Sequence, residues 1–185
     1  MAENEDALWT HTKFGYSLPR RNRKNEIAAI IEMWALTKGK NILHTAHRTT
    51  TSHTAWERLC KLLDKAKIEY KSIKASGREN IRLLNGEGDI EFRTRSSKGG
   101  LGEGFDLLII DEAQEYQDDQ ESSLKYVVTD SRNPQTLLCG TPPRFLRHRI
   151  FKTAQRCVAG RNTKYGLGRM ERKPADRSAR QRVLV

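Results

Sequence analysis

Along residues 8–143 the spacing of apolar side chains switches repeatedly between a period near two and one near 3.6, as strands alternating with helices require. Phe14 to Leu18 reads as a first strand, followed by a basic turn from Pro19 to Asn25. Glu26 to Leu36 then places Ile27, Ile30, Ile31 and Trp34 at helical spacing, which predicts an amphipathic helix burying those four. Gly39 ends it, and Asn41 to Thr45 is a second strand. Thr50 to Ala66 is a second helix, with Ala55, Leu59, Leu62 and Leu63 on one face. Glu69 to Lys74, Ile81 to Leu84 and Ile90 to Thr94 read as strands, the last two paired as a hairpin. Leu107 to Ile110 is an unbroken apolar run, the mark of a strand buried on both faces. A helix over residues 117–129 and a buried strand from Thr136 to Cys139 complete the pattern, which predicts an α/β domain with a mainly parallel sheet flanked by helices.

Composition narrows the class. The 185 residues are 36% hydrophobic and 31% charged, enough for one domain with its own core. No stretch approaches the ~20 apolar residues that cross a bilayer, and the acidic start from Met1 to Ala7 lacks the layout of a signal peptide. Cys60, Cys139 and Cys157 are odd in number and lack metal-ligand spacing, so they read as free thiols in a reducing cytosol. The net charge of +11 sits entirely in residues 144–185, which hold 13 Lys/Arg and, as acids, Glu171 and Asp176. Of the chain's 34 basic and 23 acidic side chains, 21 of each remain for the body, which is neutral. The high charge is therefore no argument that the folded body grips nucleic acid.

The segment richest in chemistry is Asp106 to Ala113, where a buried strand runs directly into Asp111 and Glu112. Many ATPases hold Mg2+ through such an aspartate and polarise the attacking water with the next glutamate. A core strand that happens to enter an acidic turn has the same look. The partner such a Walker B strand needs is a phosphate loop between a strand and a helix, where free amides and the helix dipole favour anions. Counted against G-x-x-x-x-G-K-[ST], Lys24 falls on the lysine, Leu18 and Arg23 stand in place of the glycines, and Asn25 replaces the hydroxyl. Taken alone, that turn reads rather as a basic, solvated helix cap. Thr141, just after a buried strand, stands where a hydroxyl can sense a terminal phosphate, although Gly-Thr-Pro also makes an ordinary strand exit. Phe92 to Gly104 is a strand ending in a basic, glycine-rich loop that reads as either functional or merely solvated.

Taken together, Pro19 to Glu26, Ile42 to His47, Arg93 to Gly100, Leu107 to Gln114 and Gly140 to Pro142 resemble, in content and order, the motifs of tailed-phage terminase large subunits. The likeness runs over residues 8–143, and its glycine-poor Arg-Arg-Asn-x-Lys-Asn loop is a mark of that family. The departure is Arg23, where the family usually has glycine. The resemblance implies an additional-strand, RecA-like P-loop NTPase core that binds ATP and Mg2+ and drives double-stranded viral DNA into an empty capsid. It implies that Arg20, Arg21, Asn22, Arg23, Lys24 and Asn25 cradle the phosphates, with Lys24 also acting in catalysis. Asp111 would bind Mg2+ with Asn25 as a second ligand, Glu112 would activate water, and Gly140 with Thr141 would couple hydrolysis to movement. Arg93 or Arg95 would be a charge-stabilising arginine. The implied partners are viral DNA, the terminase small subunit and the portal protein, with copies in a ring, at the procapsid portal in the bacterial cytosol and away from any membrane.

Two features set expectations of incompleteness. The family's upstream adenine-contacting segment has no room before the phosphate loop, and no acidic metal cluster follows Pro143, so DNA cleavage is not expected. The expected organisation is an ATPase domain over residues 1–143 and a disordered basic tail over 144–185, read as translated out of frame. Taken from the second base of each codon, Arg147 to Ile150 permits Gly-Thr-Val-Phe, and Lys164 to Lys173 permits Asn-Thr-Ala-Trp-Ala-Glu-Trp-Ser-Val-Asn. Within the latter, Met170 before Glu171 requires tryptophan, and such segments resemble what the family carries after this point. The alternative is a natural basic arm gripping DNA phosphates, with affinity that falls steeply with salt. Two other readings of the whole chain are a superfamily-two helicase fragment, whose Asp-Glu-Ala-Gln-like box is similar, and a non-catalytic prophage remnant.

Overall fold

The computed structural model describes residues 8–75, 78–84, 88–95, 104–116, 120, 124, 126–142, 165–170 and 183–184. The strands are β1 (Lys13–Ser17), β2 (Asn41–Ala46), β3 (Tyr70–Ile73), β4 (Arg78–Leu83), β5 (Asp89–Thr94), β6 (Leu107–Ile110), β7 (Gln135–Gly140), β8 (Tyr165–Met170) and β9 (Val183–Leu184). The helices are α1 (Lys24–Thr37) and α2 (Thr49–Lys65), with short 3-10 turns at Ala113–Glu115 and Tyr126–Val128.

All nine strands form one sheet in the order β3-β4-β5-β2-β6-β7-β1-β8-β9. From β5 to β8 every pairing is parallel, and antiparallel β4, β3 and β9 extend the two edges. β7 lies between β1 and β6, so the two strands that lead to the candidate phosphate loop and the acidic turn are not neighbours. This inserted strand is the topology of an additional-strand P-loop core. β6 is buried along its whole length, as its apolar run predicts. α1 and α2 cover one face, over a core that includes Ile42, Ile81, Ile90, Phe92, Ile109 and Leu137. Leu43, Leu108, Ile110 and Val127 pack on the other.

One sequence expectation is inverted. α1 buries Ala28, Ala29, Glu32, Ala35 and Leu36, whereas Ile27, Ile30 and Trp34 are exposed and Ile31 only partly packed. Apolar residues lie around most of this helix, so periodicity gives a helix but no phase. The small alanines decide the phase by letting the backbone approach the sheet closely. The same closeness appears at Gly88, where an added Cβ would lie 2.2 Å from the Leu36 carbonyl oxygen. Gly39 ends α1 at φ 69°, a conformation that favours glycine.

The sheet also extends past the boundary drawn at residue 143, since β8 pairs with β1 and β9 with β8. The pattern of side chains gives no sign of these strands. A backbone ladder needs no particular side chain, and without β8 the parallel edge of β1 would be open. The rest of residues 144–185, the glycine-rich loop at 96–103 and much of the helix expected over 117–129 lie outside the described residues.

Candidate functional site

Parallel strands leave their carboxyl ends as the natural place for a ligand, and the candidate residues gather there. β1 passes through Leu18, whose amide donates to the Gly140 carbonyl at 3.0 Å, into the turn at residues 19–23. The turn closes through Asn22 N–H to the Pro19 carbonyl at 3.3 Å and runs straight into α1, which opens at Lys24. The first amides of a helix have no intrahelical acceptor, so those of Lys24 and Asn25 are available to an anion by position. Arg20, Arg21 and Arg23 are exposed around them, and Asn22, Lys24 and Asn25 are half-buried.

Two of these residues adopt left-handed backbone: Arg21 at φ 68° and Arg23 at φ 55°, ψ 29°. Arg23 thus holds a glycine-like conformation at the position where a phosphate loop expects glycine. A side chain there costs about 1–2 kcal/mol, of which the greater unfolded freedom of glycine would cancel part. Arg23→Gly is therefore expected to stabilise the fold by about 0.5–1 kcal/mol in urea titration, and Arg23→Ala, which keeps the Cβ, to give no gain. A loss of stability in Arg23→Gly would show that the side chain makes contacts outweighing the strain.

The acidic turn lies two strands away and meets the loop directly. The Lys24 ammonium pairs with Asp111 Oδ1, closing 87 residues of chain. The same oxygen accepts the Glu112 amide at 2.7 Å. Burial pushes the Asp111 carboxyl up, but Lys24 and then His44 outweigh it, holding the group below the usual carboxylate range. Tyr16 on β1 donates its hydroxyl to the Lys24 carbonyl at 2.9 Å, and burial pushes its pKa well up, so it stays a donor. Cys139 beside it is raised by burial too and remains a neutral thiol.

Glu112 is half-buried and left-handed at φ 50°. That conformation is braced by Arg95, whose Nη1 donates to the Asp111 carbonyl at 2.7 Å and Nη2 to the Glu112 carbonyl at 3.2 Å. Its guanidinium also lies over the Tyr116 ring at 5.7 Å, and burial pulls its pKa down. Through these two bonds Arg95 braces the backbone of the acidic turn. Arg93 pairs with Glu91 on its own strand and lies over the Phe105 ring. Thr141 follows Gly140 at the end of β7, and its amide donates to Gln114 Oε1 at 3.1 Å.

Sequence reasoning did not single out Gln114, Tyr16, Glu32 or His44. Gln114 carries a signal in its place within the Asp-Glu-Ala-Gln run. His44 lies within Ile42 to His47, one of the family-like segments, and Glu32 carries no signal beyond being a polar residue in an otherwise apolar helix.

No protein-family model and no curated relative matches the sequence. Solved structures do match. The chain superposes on the large terminase of HK97 bacteriophage with a TM-score of 0.69 at 14% identity, over 84% of this chain and 34% of that one. For the large terminase ATPase domain of Thermus phage P74-26 the values are 0.58 and 18%, over 78% and 64%. For the large terminase of the thermophilic bacteriophage D6E in complex with ADP they are 0.66 and 11%, over 86% and 40%. The chain thus spans about a third of the HK97 protein and under two thirds of the P74-26 domain. At these identities the likeness is one of fold: a mostly parallel, helix-flanked sheet of the RecA-like P-loop kind.

Proposed function

We propose that this chain is the ATP-binding part of a phage terminase large subunit, the motor that packages double-stranded viral DNA. The observation carrying this reading is the meeting of Lys24 with Asp111 at the ends of strands separated by an inserted third. A buried carboxylate paired with an ammonium at the mouth of a phosphate-type loop is a poor choice for packing alone. It is a sensible resting state for a site that exchanges that ammonium for a metal.

The residues fit Mg2+, a hard cation that takes oxygen ligands. Asp111 already offers a carboxylate oxygen to a cation, and Asn25 brings an amide oxygen to the start of α1. When bound, Mg2+ would draw charge from the phosphate oxygens. The chain's residues do the rest. Lys24 turns from Asp111 to the phosphates, and Arg20, Arg21, Asn22, Arg23 and the first amides of α1 surround them. Glu112 takes a proton from the attacking water, and Arg95 keeps its backbone in place. Loss of the terminal phosphate is felt at Thr141 and passed through Gln114 to the acidic turn. DNA, a small subunit, a portal protein and neighbouring copies in a ring are the partners this reading entails, in the bacterial cytosol. Among the described residues no helix is long and apolar enough to cross a membrane.

Mg·ATP at a hundred times its dissociation constant is expected to stabilise the protein by about 2.7 kcal/mol. Chemical denaturation with and without nucleotide measures this, and an unmoved curve overturns the site. The out-of-frame reading of residues 144–185 belongs to the same proposal. The gene's shifted frame should stay open from codon 144 through codon 185. A stop codon there would leave a natural basic tail.

A further inference from the structure

We propose that Glu32 and His44, a carboxylate and an imidazole buried between α1 and β2, are a positioning pair that holds Asp111 for metal-bound nucleotide once Lys24 has left it. The inference rests on the nucleotide-site reading above and adds two residues to it. Glu32 Oε1 lies 2.6 Å from His44 Nδ1, and the two side chains are 1% and 2% exposed. Glu32 sits in the middle of the buried face of α1, between Ala28 and Ala35, the one charged residue in that stripe. The imidazole is packed against the Phe92 ring, 5.2 Å between centroids, and its Nε2 has no hydrogen-bond partner among the described residues.

Packing does not account for such a pair. Taking two ionisable groups out of water costs several kcal/mol each, and apolar residues of similar volume serve stability as well or better. The rest of the α1 stripe is alanine and leucine while Ile27 and Ile30 point outward, so apolar side chains were close at hand. A local rule broken this way is expected near function.

Placement shows which function. His44 is in register with Ile109, two residues before Asp111, and side chains two apart on a strand share a face. His44, Ile109 and Asp111 are therefore on the face that α1 covers. Lys24 pairs with Asp111 and His44 with Glu32, and His44 and Asp111 share one face of the sheet. α1 is tied to the sheet twice: at Lys24 through the Tyr16 hydroxyl, and about two turns further on through Glu32. With both ties the helix can neither slide nor roll against β2. When Lys24 swings to a phosphate, the His44–Glu32 pair keeps Asp111 in place.

The test uses the whole chain and a fluorescent ATP analogue, titrated with Mg2+, beside ADP binding in chelator. Glu32→Gln and His44→Asn are expected to raise the Mg2+ midpoint about tenfold, as loss of an outer partner of a metal ligand does, with metal-free ADP affinity kept within about twofold. The apolar double variant Glu32→Leu/His44→Phe should keep the wild-type melting temperature and still show the raised midpoint. A wild-type midpoint in the folded double variant overturns the proposal. So does a proportional fall of both affinities in the single variants, which would make the pair merely structural. If the wild type itself binds no nucleotide, the site reading fails and the pair's role with it.

Discussion

Lys24→Ala is expected to lose about 3 kcal/mol of folding stability and, with it, all stabilisation by Mg·ATP. The first loss comes from Asp111, whose side chain is 3% exposed and whose main partner would be gone. A buried carboxylate without its ammonium is far costlier than the intact pair is valuable. The second loss comes from the phosphates. Lys24→Met/Asp111→Asn separates them, since it removes both charges; it should recover most of the stability and none of the nucleotide binding. Acidity gives an independent check. In the wild type the Asp111 pKa is depressed, so its contribution is present above the unfolded value of about 4 and fades as pH falls through the folded value. In Lys24→Ala the largest influence opposing burial is gone, so the pKa rises from its wild-type value and the penalty eases on acidification. The two stability curves should converge as pH drops below about 4. A gap that is constant with pH would mean that Asp111 does not feel Lys24.

Glu112→Gln is expected to leave Mg·ATP binding intact and to lower single-turnover hydrolysis by about 10²–10⁴, the usual contribution of a general base. Glutamine keeps the size of the side chain and the Cβ at the left-handed position, so the braces from Arg95 and Asp111 survive. Only the ability to take a proton goes. Hydrolysis unchanged in this variant would move the base elsewhere. Denaturation with Mg·ATP supplies the control, because equal stabilisation of both proteins shows that the site still fills.

Much of this fold follows from local pattern. The strands from β1 to β7 and both helices lie within a few residues of where periodicity puts them, because burial on one face or two imprints a period on any sequence. Asp111 and Glu112 were also legible, since two carboxylates directly after four buried apolar residues are hard to explain by packing. The proposed phosphate loop was not legible by motif, with Leu18 and Arg23 on the glycine positions. Resemblance to a family supplied it.

Other features belong to the tertiary structure alone. The phase of α1 is one, because Ile27, Ile30 and Trp34 look like a core face until the sheet selects the alanines. The insertion of β7 between β1 and β6 is another, for strand order is a matter of long-range pairing that no local period encodes. Arg95 lies one residue beyond β5, and nothing near it in sequence says that its guanidinium will cap carbonyls of the turn after β6. The same holds for Glu32 and His44, twelve residues apart on a helix and a strand, whose polarity made sense only once both were buried together. Sequence determined which segments would be helix or strand and which carboxylates were out of place, because hydrophobic burial is written at short range. Which charges face one another was decided by the sheet, because a buried charge finds its partner in space and not along the chain.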